Sequence, residues 1–544
     1  MDKKKPEVQL DRLIRANYPV IVVNSYEEAR VGKAVRAVAN AQVFQSKDGG
    51  KKPKSVYEWT VSDGLRRVGA EDVSPDGVPA PEDTRLPTVA LGALKTWQGV
   101  TKDATIFVFK DLHAYLQDAE VVRCLRDLVG LFQSQPNTLI LLSPEFPLPP
   151  EMAKDVSVLD WPLPSEDELS KILERAEKKL PKGVKSDLGD ATREAVVQSL
   201  RGLSEFEAAS VLSMAIVTNL ALDAQAIPLI LSEKKAIIKK SGFLEYVEAE
   251  VGVDEVGGLD ELKSYAARKL DAFSKEAEAY GLDRPNGVMV YGVPGAGKSL
   301  LIKALSRARA RQIAILRLDL AALKGGLVGQ TETNTLQALR VIDAFGECIV
   351  WLDEVEKALG DVTGRSLDGG ASLGQFGILL TWMQERKYKG SAAYLAATAN
   401  GIRGLPPEFL RRFDDVFFVD LPTQSEREEI LTIHLNKRRR DPKQFQIVDV
   451  AKKLAGYTGA EIEKVVVAAL DAGFAEAGRE ITNGDLVQAA NDVIPISRTM
   501  EEDIKAMRKW ALQRARFASG ASARQVARAA ADGEEDAPRL EVEV

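Results

Sequence analysis

The sequence predicts an α/β protein in which a mostly parallel sheet followed by a helical module occurs twice, and three observations predict it. Over residues 1–165, short apolar runs rich in β-branched and aromatic residues alternate with helical periods, the pattern of strands joined by crossover helices. A second alternation of the same kind starts near Val256, after a stretch, 166–248, that reads as helical. Three short matches then recur in the same order at similar spacing: LILLSPEFPLPPE (139–151) with YLAATANGIRGLPPE (394–408), VLDWPLPSEDEL (158–169) with FFVDLPTQSEREEI (417–430), and LRGLSEFEA (200–208) with LAGYTGAEI (454–462). Their common order argues for an internal duplication.

The strands of the first half are read at YPVIVV (18–23), VYEWTV (56–61), ATIFVF (104–109), TLILLS (138–143) and VSVLDW (156–161). Between them lie helical periods such as VVRCLRDLVGLF (121–132), and two Gly/Pro/charge-rich stretches, 46–55 and 71–85, read as exposed loops. The second half gives GVMVY (287–291), IAILRL (313–318), CIVWLD (348–353), AYLAAT (393–398) and DVFFVD (415–420), with helices again over 426–492. The expected organisation is an α/β domain at 1–165, a helical lid-like domain at 166–248, a second α/β domain at 249–425 and a helical lid at 426–498. A helix and a disordered acidic tail fill 499–544.

A chain of 544 residues exceeds one typical domain, and 45% hydrophobic residues suffice for two or three cores. The net charge of −7 gives no global attraction to nucleic acid or anionic membrane. Cys124 and Cys348 cannot make a disulfide framework and read as buried reduced thiols. His113 and His434 are the only histidines, without clustered ligand spacing, so a transition-metal site is not expected. No run reaches 18 apolar residues and the start has no secretory pattern, so a cytoplasmic protein without membrane insertion is expected. The basic runs NKRRR (436–440) and KKPK (51–54) read as solvated surface, with contact to nucleic-acid phosphate or an acidic partner as the alternative.

The chemistry gathers in the second half. GVPGAGKS (292–299), between a strand and a helical pattern, fits G-x-x-x-x-G-K-[ST]. Its glycines let backbone N–H groups wrap a phosphate, with Lys298 reaching the β- and γ-phosphates of ATP and Ser299 ligating Mg²⁺. The strand CIVWLDE (348–354) ends in two carboxylates: Asp353 suits a Mg²⁺-water contact and Glu354 a base for the attacking water.

Together with DEVGGLDELK (254–263), ATAN (397–400), LPPEFLRRFDD (405–415) and GYTGAEI (456–462), these motifs resemble the AAA ATPases over 254–475. The whole chain resembles an uncharacterised plastid and cyanobacterial reading-frame family of AAA proteins, in which a degenerate ATPase-like domain precedes the active one. That resemblance implies a P-loop NTPase fold and a homo-oligomeric, hexameric ring. It implies contacts to ATP from Pro294, Gly295, Ala296, Gly297, Lys298, Ser299 and Leu300, and contacts from Val256 and Gly257 to adenine. It also makes Asn400 a sensor of the γ-phosphate and Arg411 and Arg412 arginine fingers across a subunit boundary. The adjacency of the two arginines departs from the usual spacing and leaves open which one acts, and a solvated turn is the alternative for both. His434 lies near the base or is a plain helix-face residue. Leu327, in GGLVGQTE (325–332), stands where threading enzymes carry an aromatic, and GDVTGRSLDGGASLGQ (360–375) is a second pore loop or a passive surface loop.

The first half lacks these groups: Glu27 stands where the first glycine is required, Leu112 where the catalytic Glu would be, and MAKDV (152–156) has no arginine. A catalytically dead relative kept for assembly or partner binding is expected, with an unrelated α/β domain as the alternative. The function expected is Mg²⁺-dependent ATP hydrolysis that remodels an unidentified protein or protein assembly. A nucleotide-gated scaffold with slow turnover is the alternative, and a nucleic-acid motor is disfavoured by the acidic balance.

Overall fold

The computed structural model describes residues 5–520 apart from 42, 46–50, 70–82, 101–103, 145, 182–184, 241, 249–250, 308–312, 325–329, 360–370, 390–391 and 402–404. The chain forms two compact units, Met1–Ile227 and Pro228–Val544. The first unit contains strands β1 (Val20–Asn24), β2 (Ser55–Thr60), β3 (Gly64–Arg67), β4 (Thr105–Lys110), β5 (Thr138–Ser143) and β6 (Val156–Asp160), ordered β3-β2-β4-β5-β1-β6. All neighbours are parallel except β2 and β3. Every residue of β5 is buried, as a strand covered on both faces requires, which is why TLILLS is a continuous apolar run.

Helices α1 (Pro6–Arg15) and α2 (Glu28–Ala41) supply the core on one face of this sheet, and α3 (Pro87–Val100) and α4 (Ala119–Gln133) that on the other. A helical module follows, with α5 (Glu166–Lys178), α6 (Asp190–Leu200) and α7 (Glu205–Asn219). Capping boxes fix two of its starts: Ser165 with Glu168 for α5, and Ser204 with Glu207 for α7.

The second unit is built from β7 (Leu244–Val247), β8 (Gly287–Gly292), β9 (Ala314–Leu318), β10 (Cys348–Leu352), β11 (Ala393–Ala399), β12 (Asp415–Val419) and β13 (Arg516–Phe517). Its sheet order is β7-β9-β10-β11-β8-β12-β13. The five central strands of each unit follow one connectivity, in which the chain's first core strand lies between the fourth and the fifth. The duplicated α/β architecture expected from the sequence is present. Around the second sheet lie α8 (Asp260–Asp271), α9 (Lys298–Leu305), α10 (Gln330–Phe345) and α11 (Ala371–Lys389). The following lid comprises α12 (Gln424–Lys437), α13 (Gly459–Ala475) and α14 (Asn483–Asp492) around their own apolar core.

Three features differ from the expected organisation. The compact units divide at 227/228, not at 248/249, so the end of the expected 166–248 helical domain belongs with the second unit. Within that end, β7 pairs antiparallel with β9, Leu244 opposite Leu318. The segment after 499 is also more than a helix and tail. Helix α15 (Glu501–Arg514) sets Trp510 edge-to-face against Tyr291, ring centres 5.0 Å apart, and Arg508 grips the buried Asp420 through Nε and Nη2 at 2.8 and 2.9 Å. It leads into β13, which extends the sheet beside β12. Leu327, residues 360–370 and the acidic tail after Gly520 lie outside the described residues. Among the described residues, no helix is long and apolar enough to cross a membrane.

Candidate active site

Strand β8 delivers the chain into the glycine-rich turn 293–297, and α9 starts at Lys298. Gly295 and Gly297 have φ of 76° and 91°, a region that glycine enters without penalty. A Cβ on Gly295 would lie 3.1 Å from Thr458 Oγ1 at the start of α13, and the Ala460 amide donates to the Gly295 carbonyl at 3.1 Å. The lid therefore touches the turn backbone to backbone. Lys298 is buried, and its ammonium donates to the carbonyls of Gly292 and Val293, each at 2.9 Å. Burial pushes its pKa down to about 8, against the pull of Glu356, Glu354 and Asp353.

The acidic pair stands opposite, at the end of β10. Ser299 Oγ donates to Asp353 Oδ1 at 3.3 Å, and Thr398 Oγ1 donates to the same oxygen at 2.6 Å. Thr398 Oγ1 also accepts the Glu354 amide at 3.1 Å. Glu354 has a positive φ of 49°, an uncommon backbone state for a side-chain-bearing residue, and such states gather at functional sites. Its carboxylate is held at both ends, Oε1 by Asn400 Nδ2 at 2.9 Å and Oε2 by Lys357 Nζ at 2.5 Å. The Lys357 hydrogen bond keeps this carboxyl below its usual pKa, with Asn400 adding to the effect against some desolvation.

Lys298, Ser299, Asp353, Glu354, Thr398 and Asn400 line one cavity of about 430 Å³. It holds every residue predicted to contact nucleotide or Mg²⁺: Val256, Gly257, the stretch Pro294–Leu300, Asp353 and His434, together with Glu354 and Asn400. Gly257 comes so close to α12 that a Cβ there would lie 2.6 Å from Ile430 Cγ1. His434, on the last turn of α12, is mostly buried; burial lowers its pKa, and Nδ1 has no hydrogen-bond partner. Ser299 and Asp353, hydrogen-bonded and facing the same space, suit a Mg²⁺ that keeps most of its ligands as water and phosphate oxygen.

Arg411 and Arg412 do not line this cavity. Arg411 is exposed and Arg412 half-buried, with its Nε buried and lacking a hydrogen-bond partner. Sequence reasoning missed Thr398, Lys357 and Glu356, whose Oε1 accepts the Asn400 amide at 3.1 Å. Thr398 sits inside the ATAN motif and was open to notice; the lysine three residues after Glu354 carries no motif.

In the first unit the corresponding turn has three residues (25–27) between β1 and α2, against five (293–297) in the second. The charges are also reversed. Glu28 opens α2 where Lys298 opens α9, and Lys110, at the end of β4, lies 3.3 Å from Glu28 and 3.1 Å from Glu58.

Residues 6–161 match the family described as the SpoVK-like AAA ATPase N-terminal domain, and 167–241 its second domain. Residues 288–421 match the ATPase family associated with various cellular activities (AAA). An uncharacterized AAA domain-containing protein ycf46 from Guillardia theta is 31% identical, over 92% of this chain and 93% of its own length. The ycf46 protein of Pyropia yezoensis is 32% identical, over 92% and 96%. An ATP-dependent zinc metalloprotease FtsH from Acholeplasma laidlawii is 32% identical over 45% of this chain and 38% of its own length.

Proposed function

The chain belongs to the family of AAA proteins that includes ycf46, and from that premise we propose that its second unit hydrolyses ATP with Mg²⁺ in a homo-hexameric ring that remodels proteins or protein assemblies. The observation that carries this reading is the convergence of Lys298, the Ser299–Asp353 pair and the Glu354–Asn400 pair on one cavity roofed by the lid.

In this reading the turn 293–297 and Lys298 cradle the phosphates. Mg²⁺, held through Ser299 and Asp353, would neutralise charge on the β- and γ-phosphate oxygens. Asn400 aims Glu354, which takes a proton from the water attacking the γ-phosphorus as the bond to the β-phosphate oxygen breaks. Arg411 or Arg412 completes a neighbouring subunit's site. One observation favours the slower-turning, nucleotide-gated scaffold as a second reading: both oxygens of Glu354 are already held, by Asn400 and Lys357.

The test is phosphate release by the purified chain with and without the partners that a Glu354→Gln variant retains in ATP. Turnover stimulated by a retained protein supports remodelling. Turnover that no retained protein alters supports the scaffold, and absence of turnover in every assembly state rejects both.

A further inference from the structure

The first unit encloses a buried anion position between its α/β part and its helical module. Glu27, the last residue of the shortened turn, is 7% exposed. Its Oε1 accepts the Glu205 amide, the first N–H of α7, at 2.6 Å, and its Oε2 accepts Arg30 Nη1 at 2.7 Å. Arg30 is itself buried and fully engaged. It donates to the Pro162 carbonyl at 2.6 Å and to both oxygens of Glu168 on α5 at 2.7 and 2.8 Å, with its guanidinium 6.0 Å from the Trp161 ring centre. At the rim, Lys33 on α2 and Arg175 on α5 both reach Glu205 Oε1, at 3.1 and 2.9 Å.

A helix amino terminus and a guanidinium converging on one point form an anion site. In the second unit the corresponding contact of turn with lid is the longer backbone bond from Ala460 N–H to the Gly295 carbonyl, which leaves the cradle open. We infer that the Glu27 carboxylate stands in the first unit where the Gly295 carbonyl stands in the second, as a permanent anionic acceptor between the lid helix N-terminus and Arg30, so that its helical module is latched by a ligand built into the chain. Glu27 thereby holds the module in place without nucleotide.

The test is hydrogen exchange on the full-length chain, read in peptides covering 203–212. Glu27→Ala removes the carboxylate and leaves its two donors facing a hole the size of an acetate ion, which admits formate. Losing a charge-assisted hydrogen bond should accelerate exchange there by about tenfold or more. Formate at about 0.5 M should restore protection, and chloride at equal ionic strength should not. Unchanged exchange in the variant, or equal effects of formate and chloride, overturns the inference. Lys95→Met, which breaks the Lys95–Asp127 pair elsewhere in the unit, should leave 203–212 protected; equal acceleration would mean global loosening and would also overturn it. If Glu27→Ala does not fold, Glu27→Gln keeps the size and loses the charge, and wild-type exchange in that variant refutes the latch.

Discussion

Replacing Glu354 with Gln separates binding from chemistry because of where its neighbours stand. The amide retains an oxygen that can accept from Asn400 Nδ2, now at 2.9 Å, so the Asn400 side chain keeps its place. The partner that is lost, Lys357, has a side chain 69% exposed, and exposed ion pairs contribute about 0–1 kcal/mol. Folding and nucleotide affinity should therefore hardly change. Loss of the base should slow turnover about 10²- to 10⁴-fold, which at ~1.36 kcal/mol per tenfold is roughly 3–5 kcal/mol of barrier. Fluorescent-nucleotide titration and steady-state phosphate release measure the two quantities on one preparation. Turnover within a few-fold of wild type would show that Glu354 is not the base. A collapse of affinity equal to the loss of rate would mean that the substitution had disturbed the cradle instead.

Lys298→Ala should abolish nucleotide binding by the whole chain, because the first unit has Glu28 where the second has Lys298; residual saturable binding at micromolar ATP would contradict the dead-domain reading. Mixing Lys298→Ala chains with an Arg411→Ala/Arg412→Ala double variant should restore ATPase activity that neither has alone, since each mixed ring contains sites with an intact cradle and an intact finger. Full activity of the arginine variant by itself rejects the shared site. For pH, the Lys298 pKa is about 8 when folded and 10.5 as the reference value. Between those values the unfolded chain binds more protons, so this group makes nucleotide-free stability rise with pH, while ATP affinity falls as the cation is lost. The increase in melting temperature on adding ATP should be smaller at pH 9.5 than at pH 7.5, and equal increases would show that the ammonium does not contact phosphate.

What was legible in the sequence is what a few adjacent residues encode. The turn at 293–297 announces itself because glycine suits the left-handed backbone at 295 and 297, and the strands announce themselves because burial on both faces makes them continuous apolar runs. The duplication was visible because turn and cap residues recur: LPPE before the last core strand, and Ser204 opening α7 as Thr458 opens α13. The unread parts depend on long-range partners. FLEYVEAE has four strand residues, and only the edge of β9 makes them one. Nothing around Arg508 signals that Asp420, 88 residues earlier, awaits it. Arg30 reads as one more cation on an amphipathic helix until Glu168 and Pro162 are folded against it.

The reversed ion pair of the first unit has a consequence for its descent. Restoring a phosphate-binding lysine by Glu28→Lys would set the new ammonium against Lys110, whose remaining partner would be Glu58 alone. Changing Lys110 to an acid first would add a third carboxylate beside Glu28 and Glu58, leaving Arg36 paired with Glu58, and like charges that close are destabilising. Either route also leaves the turn two residues short, with Glu27 filling the space. Each single step back thus loses stability before any nucleotide could compensate for it. The loss works as a ratchet: natural variation can polish this unit as a fixed building part, while a second working engine lies several simultaneous changes away.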